Sequence, residues 1–159
     1  MRRMVLYYLL LVSVNAISQD SFQNYSYGGK KLQVSSKYDC SEKYTLTSSD
    51  FALVNVKIPK LVYNASDTEE LIEVFSEGLE DEITVIEKRR IEFKSFGQEF
   101  RGYLYKIREE GKTRLMISSF GIIKDAINLT IGFKDENIDF DHFKFPSELI
   151  DLIDITDLK

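Results

Sequence analysis

The stretch Ile83–Lys134 decides the fold: ITVIEKRRIEFKSFGQEFRGYLYKIREEGKTRLMISSFGIIKDAINLTIGFK. Its clearest piece is the last, where Ile127, Leu129, Ile131 and Phe133 alternate with Asn128, Thr130 and Gly132. A period of two sends the first set to one face and the second to the other, as in a strand with one side on a core. Read backwards from there, the pattern predicts strands near 83–94, 99–108, 113–122 and 127–134. Phe96-Gly97-Gln98 and Glu109-Glu110-Gly111-Lys112 supply hairpin connections. Four successive strands on short turns make an antiparallel meander.

Upstream, Tyr44–Thr47 and Phe51–Ile58 read as two more strands around Ser48-Ser49-Asp50. Pro59 ends the second, because it has no N–H for a ladder. Ser66-Asp67-Thr68-Glu69 has the form of a capping box. Leu71, Ile72, Phe75 and Leu79 then recur at helical spacing, with Glu69, Glu70, Glu73, Glu77 and Glu80 over the remaining surface. Gly78 weakens the last turn. Downstream, Pro146 opens a closing helix in which Leu149, Ile150, Leu152 and Ile153 form an apolar stripe. The order is β-β-α-β-β-β-β-α. The fold class is α+β, an antiparallel meander sheet with two helices packed on one face.

Over about residues 44–155 the chain resembles the family of the photosystem accessory protein PsbP and the envelope protein DcrB. The likeness consists of FALVNVKIP leading into a helix, then the long meander and a closing helix. It implies an accessory or binding protein rather than an enzyme. It transfers no functional residue, because no short motif is shared.

The N-terminus, MRRMVLYYLLLVSVNAISQD, has the three parts of a secretory signal: Arg2 and Arg3, an apolar run over Val5–Val14, and small residues Ala16 and Ser18 before Gln19. A cut after Ala16 fits nearly as well. The apolar run is shorter than the about 20 residues of a membrane span. The NAISQD ending resembles exported proteins of the Bacteroidota. The expected organisation is therefore a leader over 1–18, a flexible entry segment over 19–43 with a brief edge strand at Leu32–Val34, and one α+β domain over 44–159. The expected location is the periplasm or the exterior, with no stable membrane insertion of the mature chain.

The chain carries a net charge of −5, and Arg2 and Arg3 leave with the leader, so residues 19–159 carry −7. Such a balance argues against nucleic-acid binding, which needs clustered Lys and Arg on phosphates. One cysteine, Cys40, permits no internal disulfide. One histidine, His142, sits between Asp141 and Phe143, far in sequence from Cys40. A single His and a single Cys fall short of a zinc ligand set, and a triad would have to use His142. The run Asp135, Asn137, Asp139, Asp141 has calcium-loop spacing, but Phe140 and Pro146 stand where an EF-hand needs Gly and Glu. No G-x-S-x-G, P-loop or dinucleotide fingerprint occurs. No cofactor, metal site or catalytic residue is assigned.

The one asymmetry is the meander, which concentrates Lys88, Arg89, Arg90, Lys94, Arg101, Lys106, Arg108, Lys112 and Arg114 among Phe and Tyr in an acidic chain. Arg101, Tyr103, Tyr105 and Arg114 are the candidate binding residues on an outer sheet face, for an acidic protein or an anionic ligand. The alternative is an ordinary solvated face with cross-strand ion pairs to Glu92 and Glu99. The leading reading is a non-catalytic exported binding or accessory protein of the bacterial envelope. A carrier of a small apolar ligand between helix and sheet, suggested by eleven Phe and nine Tyr, and a hydrolase using acidic residues are the other two.

Overall fold

The computed structural model describes residues 21–58, 68–122 and 126–159. The leader, Pro59 and the first two residues of the capping box lie outside them. Nine strands and two helices are described: β1 (Phe22–Tyr27), β2 (Lys30–Ser35), β3 (Thr45–Thr47), β4 (Phe51–Lys57), α1 (Thr68–Glu82), β5 (Thr84–Ser95), β6 (Gln98–Glu109), β7 (Lys112–Ile122), β8 (Ala126–Phe133), α2 (Ser147–Ile153) and β9 (Ile155–Thr156).

Strands β3–β9 form one seven-stranded sheet in the order β3-β4-β8-β7-β6-β5-β9. The meander β5–β8 is antiparallel throughout, as the alternation requires. Its tight turns, Phe96-Gly97 and Glu110-Gly111, have positive φ at both central residues (49° and 73°, 50° and 79°). That is the turn whose twist matches paired strands. β4 returns to lie antiparallel on β8, with Phe51 opposite Phe133. β4 and β5 therefore run in the same direction, three strands apart, and only a long crossover can join them. α1 lies on that crossover.

The large core sits on one face of the sheet. Phe51, Leu53, Ile91, Phe93, Phe100, Leu104, Leu115, Ile117, Leu129, Ile131 and Phe133 pack there under Phe143, Phe145, Leu149 and Ile153. The α+β class with an antiparallel sheet and two helices is as the pattern implies, but the helices do not share a face. α2 covers the large core, whereas α1 lies on the opposite face, where Ile72 packs with Ile58, Phe120 and Ala126. The reason is the segment read as a flexible entry. β1 and β2 form a hairpin that covers part of the large core with Tyr25, Tyr27 and Val34, each at most 3% exposed. The room that a second helix would take on that face is filled from the N-terminal side.

Asn55 holds the hairpin. Its Nδ2 donates to the carbonyls of Ser26 (3.1 Å) and Tyr44 (3.2 Å), and its Oδ1 accepts from Gly28 N–H (3.3 Å). Tyr27 shares a hydrogen bond with Ser95 at 3.0 Å, and Ser95 donates to the carbonyl of Ile153 at 2.6 Å. The hairpin, the end of β5 and the end of α2 are thus tied at one point.

Candidate functional site

Two places on the molecule bear on function. The first is the sheet face of the expected binding residues. Antiparallel register sets Arg90 opposite Tyr103 and Lys88 opposite Tyr105, so Lys88, Arg90, Arg101, Tyr103 and Tyr105 share a face. Here the face is not open. α1 lies on it and presents its carboxylates. Arg90 pairs with Glu69, and with Glu73 at 3.3 Å. Arg101 lies within 3.6 Å of Glu69, 3.7 Å of Glu92 and 3.3 Å of Glu99. Tyr103 donates its hydroxyl to Glu73 at 2.8 Å, and its ring lies under Lys88 and Arg90.

Tyr105 is 1% exposed and donates to Ser76 Oγ at 2.9 Å. Ser76 in turn donates to Glu80 at 2.7 Å and accepts from Lys88 at 3.2 Å. Burial raises the pKa of Tyr105, partly offset by the Ser76 bond. Arg114 lies on the same face one step further, opposite Ile107, and pairs with Glu109 at 2.7 Å. The structure brings three of the four candidates together, and their partner is the acidic helix of the same chain. The helix Glu residues and the strand Arg residues were each visible in the sequence. Their complementarity needed the register of β5 on β6.

The second place is a groove of about 730 Å³ between β2 and α2. Lys31, Leu32, Gln33, Val34 and Ser35 form one wall, and Ser147, Glu148, Asp151 and Leu152 the other. Five consecutive residues can line a groove together only along a strand edge, because a strand face contributes alternate ones. Ser36 N–H donates to Ser21 O at 2.7 Å. Alternation then makes 23/34, 25/32 and 27/30 the bonded pairs of the hairpin. The N–H and C=O of Lys31 and Gln33 point the other way, along an edge that the strands among the described residues leave free. Leu32 and Val34 face inward, and Phe96 and Tyr38 also line the groove. Lys37 closes one end on Glu148 at 2.8 Å, and that bond holds the Glu148 carboxyl below its ordinary value. A diluted sequence signal existed: Tyr25 and Tyr27, then Gly28-Gly29, then Leu32 and Val34, a two-residue turn between weak alternations broken up by Ser, Asn and Lys.

The remaining candidates resolve locally. Asp135 and Asp139 accept from the backbone N–H of Asn137 and Asp141, each at 2.9 Å, so the acidic run is two side-chain turns. His142 is an exposed side chain bonded to Asp139 at 2.9 Å. No group of three or more His, Cys, Asp or Glu among the described residues is placed to hold a metal ion. Cys40 packs against the core, and burial pushes its thiol pKa up. Much of the aromatic supply packs on itself: Phe93 stacks on Phe100 at 5.4 Å, and Phe143 touches both Phe133 and Phe145 at 5.2 Å. No helix among the described residues is long and apolar enough to cross a membrane.

No family model matches the chain, and no curated protein matches it. Among solved structures it is similar to the solution structure of cyanobacterial PsbP (CyanoP) from Synechocystis sp. PCC 6803, at 13% identity and a TM-score of 0.47, over 87% of this chain and 92% of that one.

Proposed function

We propose that this chain is a non-catalytic binding or accessory protein, exported to the envelope or beyond, that takes an extended segment of a partner protein into the β2–α2 groove as an added strand. The carrying observation is the free edge of β2: the main-chain groups of Lys31 and Gln33 face an open groove instead of another strand. An edge of this kind supplies affinity through main-chain bonds, while the apolar side chains beside it select alternate residues of the guest. Leu32, Phe96 and Leu152 are placed for that selection. The leader-like N-terminus supports the exported setting.

Gln33→Pro tests the reading. The Gln33 N–H takes no part in the bond pattern to β1, so proline removes a guest contact and leaves the hairpin whole. Capture of the partner from the native host is expected to fail with Gln33→Pro, and the amides of Lys31 and Gln33 are expected to gain exchange protection in the wild-type complex. Equal capture by Gln33→Pro, or a complex that leaves both amides unprotected, would sink strand addition.

A further inference from the structure

The β2–α2 groove has unlike ends. Toward Lys31, no hydrogen bond or ion pair among the described residues joins its two walls. Past Ser35 the chain turns across it. Tyr38 N–H donates to Ser35 O at 3.2 Å, Lys37 and Tyr38 go on lining the groove, and Lys37 reaches Glu148 of the opposite wall at 2.8 Å. The turn is also fixed from behind. Tyr38 is 7% exposed and its carbonyl accepts from Gln23 Nε2, and Asp39 next to it exchanges both main-chain bonds with Thr47 at 2.9 Å. A strand laid along β2 from the Lys31 side therefore meets a stop after Ser35. Such a guest has to end there, as a chain terminus and not an internal segment.

The polar groups at the stop select which terminus. The same alternation that turns Lys31 and Gln33 outward also turns Ser35 outward. Lys31 and Gln33 offer both N–H and C=O. Ser35 offers its N–H alone, because Tyr38 N–H already donates to its carbonyl. The carbonyls of Tyr38 and Pro146 are likewise taken, by Gln23 and by the N–H groups of Leu149 and Ile150. A terminal ammonium would find one acceptor there, Glu148, already paired with Lys37. A terminal carboxylate finds two donors. One is the Ser35 N–H, and the other is the Lys37 ammonium, on a side chain 59% exposed and with protons beyond the one given to Glu148.

A parallel ladder matches this set. In such a ladder an edge residue donates to one guest residue and accepts from the guest residue two places on. Gln33 O then accepts from the N–H of the guest's last residue, and Ser35 N–H donates to that residue's carboxylate. The donor that Ser35 O would need next is one the guest no longer has, and Tyr38 supplies it. The last guest residue lies beside Val34 and the third from last beside Leu32. Both side chains turn inward with those of Val34 and Leu32, where Phe96 and Leu152 also line the groove. The residue between them lies beside Gln33 and faces out. We infer that the groove takes the C-terminal end of a partner protein, parallel to β2, with apolar residues at the last and third-from-last positions. The inference rests on the strand-addition reading above and adds to it the end, the direction and the spacing.

Two phage-displayed libraries of short random peptides test this on the purified chain, one ending in a free carboxylate and one enclosed in a fixed Gly-Ser sequence. Binders are expected from the first alone, with apolar residues at the two stated positions. Amidating a selected peptide is expected to weaken binding at least about tenfold, the range for a lost hydrogen bond to a charge. Lys37→Ala is expected to weaken the free acid by a similar factor and to leave the amide unchanged. Gln33→Pro tests the underlying reading separately, because it removes a main-chain bond that acid and amide share. Acid and amide bound equally, or enclosed peptides whose binding Gln33→Pro abolishes, would overturn the terminus and leave strand addition standing. Peptides that Gln33→Pro leaves bound would overturn both, as would two libraries without a binder.

Discussion

Gly102 shows how little freedom the centre of the sheet has. A Cβ there would sit 2.0 Å from the carbonyl oxygen of Ser118 and 2.6 Å from Cα of Ser119, both backbone atoms of the next strand. Neither can move without breaking the β6–β7 ladder. Gly102→Ala is expected to cost about 3 kcal/mol or more, the upper range for overpacking, read as a lower urea midpoint at constant slope. Gly78 is the useful contrast, since nothing lies within 4 Å of its added Cβ. At this scale the sequence was partly opaque. A glycine in a strand announces a bulge or a close approach but does not say which. Tyr103 and Tyr105 likewise announced a contact surface, and only the backbone register revealed that both hydroxyls already have acceptors in α1.

Among the elements, α1 is held in an unusual way for a helix on a sheet. Ile72 is its one fully buried apolar residue, and much of the rest of its attachment is ionic. The hydrogen bond from Lys88 holds the Glu80 carboxyl below its ordinary value, with Ser76 adding to it, and the same bond raises Lys88. A depressed carboxylate stabilises above its unfolded pKa and ceases to do so as pH falls through the folded one. A raised ammonium stabilises below its unfolded pKa and fails as pH rises through the folded one. The helix is therefore held across neutral pH and loosens first on the acid side, below about pH 4. These groups are part-exposed, so salt weakens them as well. Amide exchange in α1 should accelerate relative to β6 on going to about pH 3, and with added salt at neutral pH. An unchanged ratio under both conditions would mean that Ile72 and Phe75 carry the helix alone. The meander, α1 and α2 were legible because period two, period 3.6 and the turn residues agreed over long runs. The β1–β2 hairpin was not, because Ser, Asn and Lys dilute its alternation and its Tyr residues look polar until they are seen buried.

For the molecule as a whole, the hairpin is part of the core and not an appendage. Tyr25, Tyr27 and Val34 belong to the same cluster as Phe93, Phe133 and Leu149. Removing residues 21–36 should expose that cluster, giving dye binding and no cooperative thermal transition; a truncated chain that still melts sharply would show the sheet and α2 to be sufficient. The groove was illegible in the sequence for a related reason. Its walls come from residues 31–38 and 147–152, brought together by Tyr27, Ser95 and the carbonyl of Ile153. That tie has a kinetic meaning. The meander closes through neighbouring hairpins and can form early, whereas contacts between distant parts of the chain bear the larger closure cost and come late. The groove therefore has no half-built version: a chain that has folded its sheet but not yet seated the β1–β2 hairpin against α2 lacks one of its two walls, and on the proposed reading it would give a guest strand no edge to join.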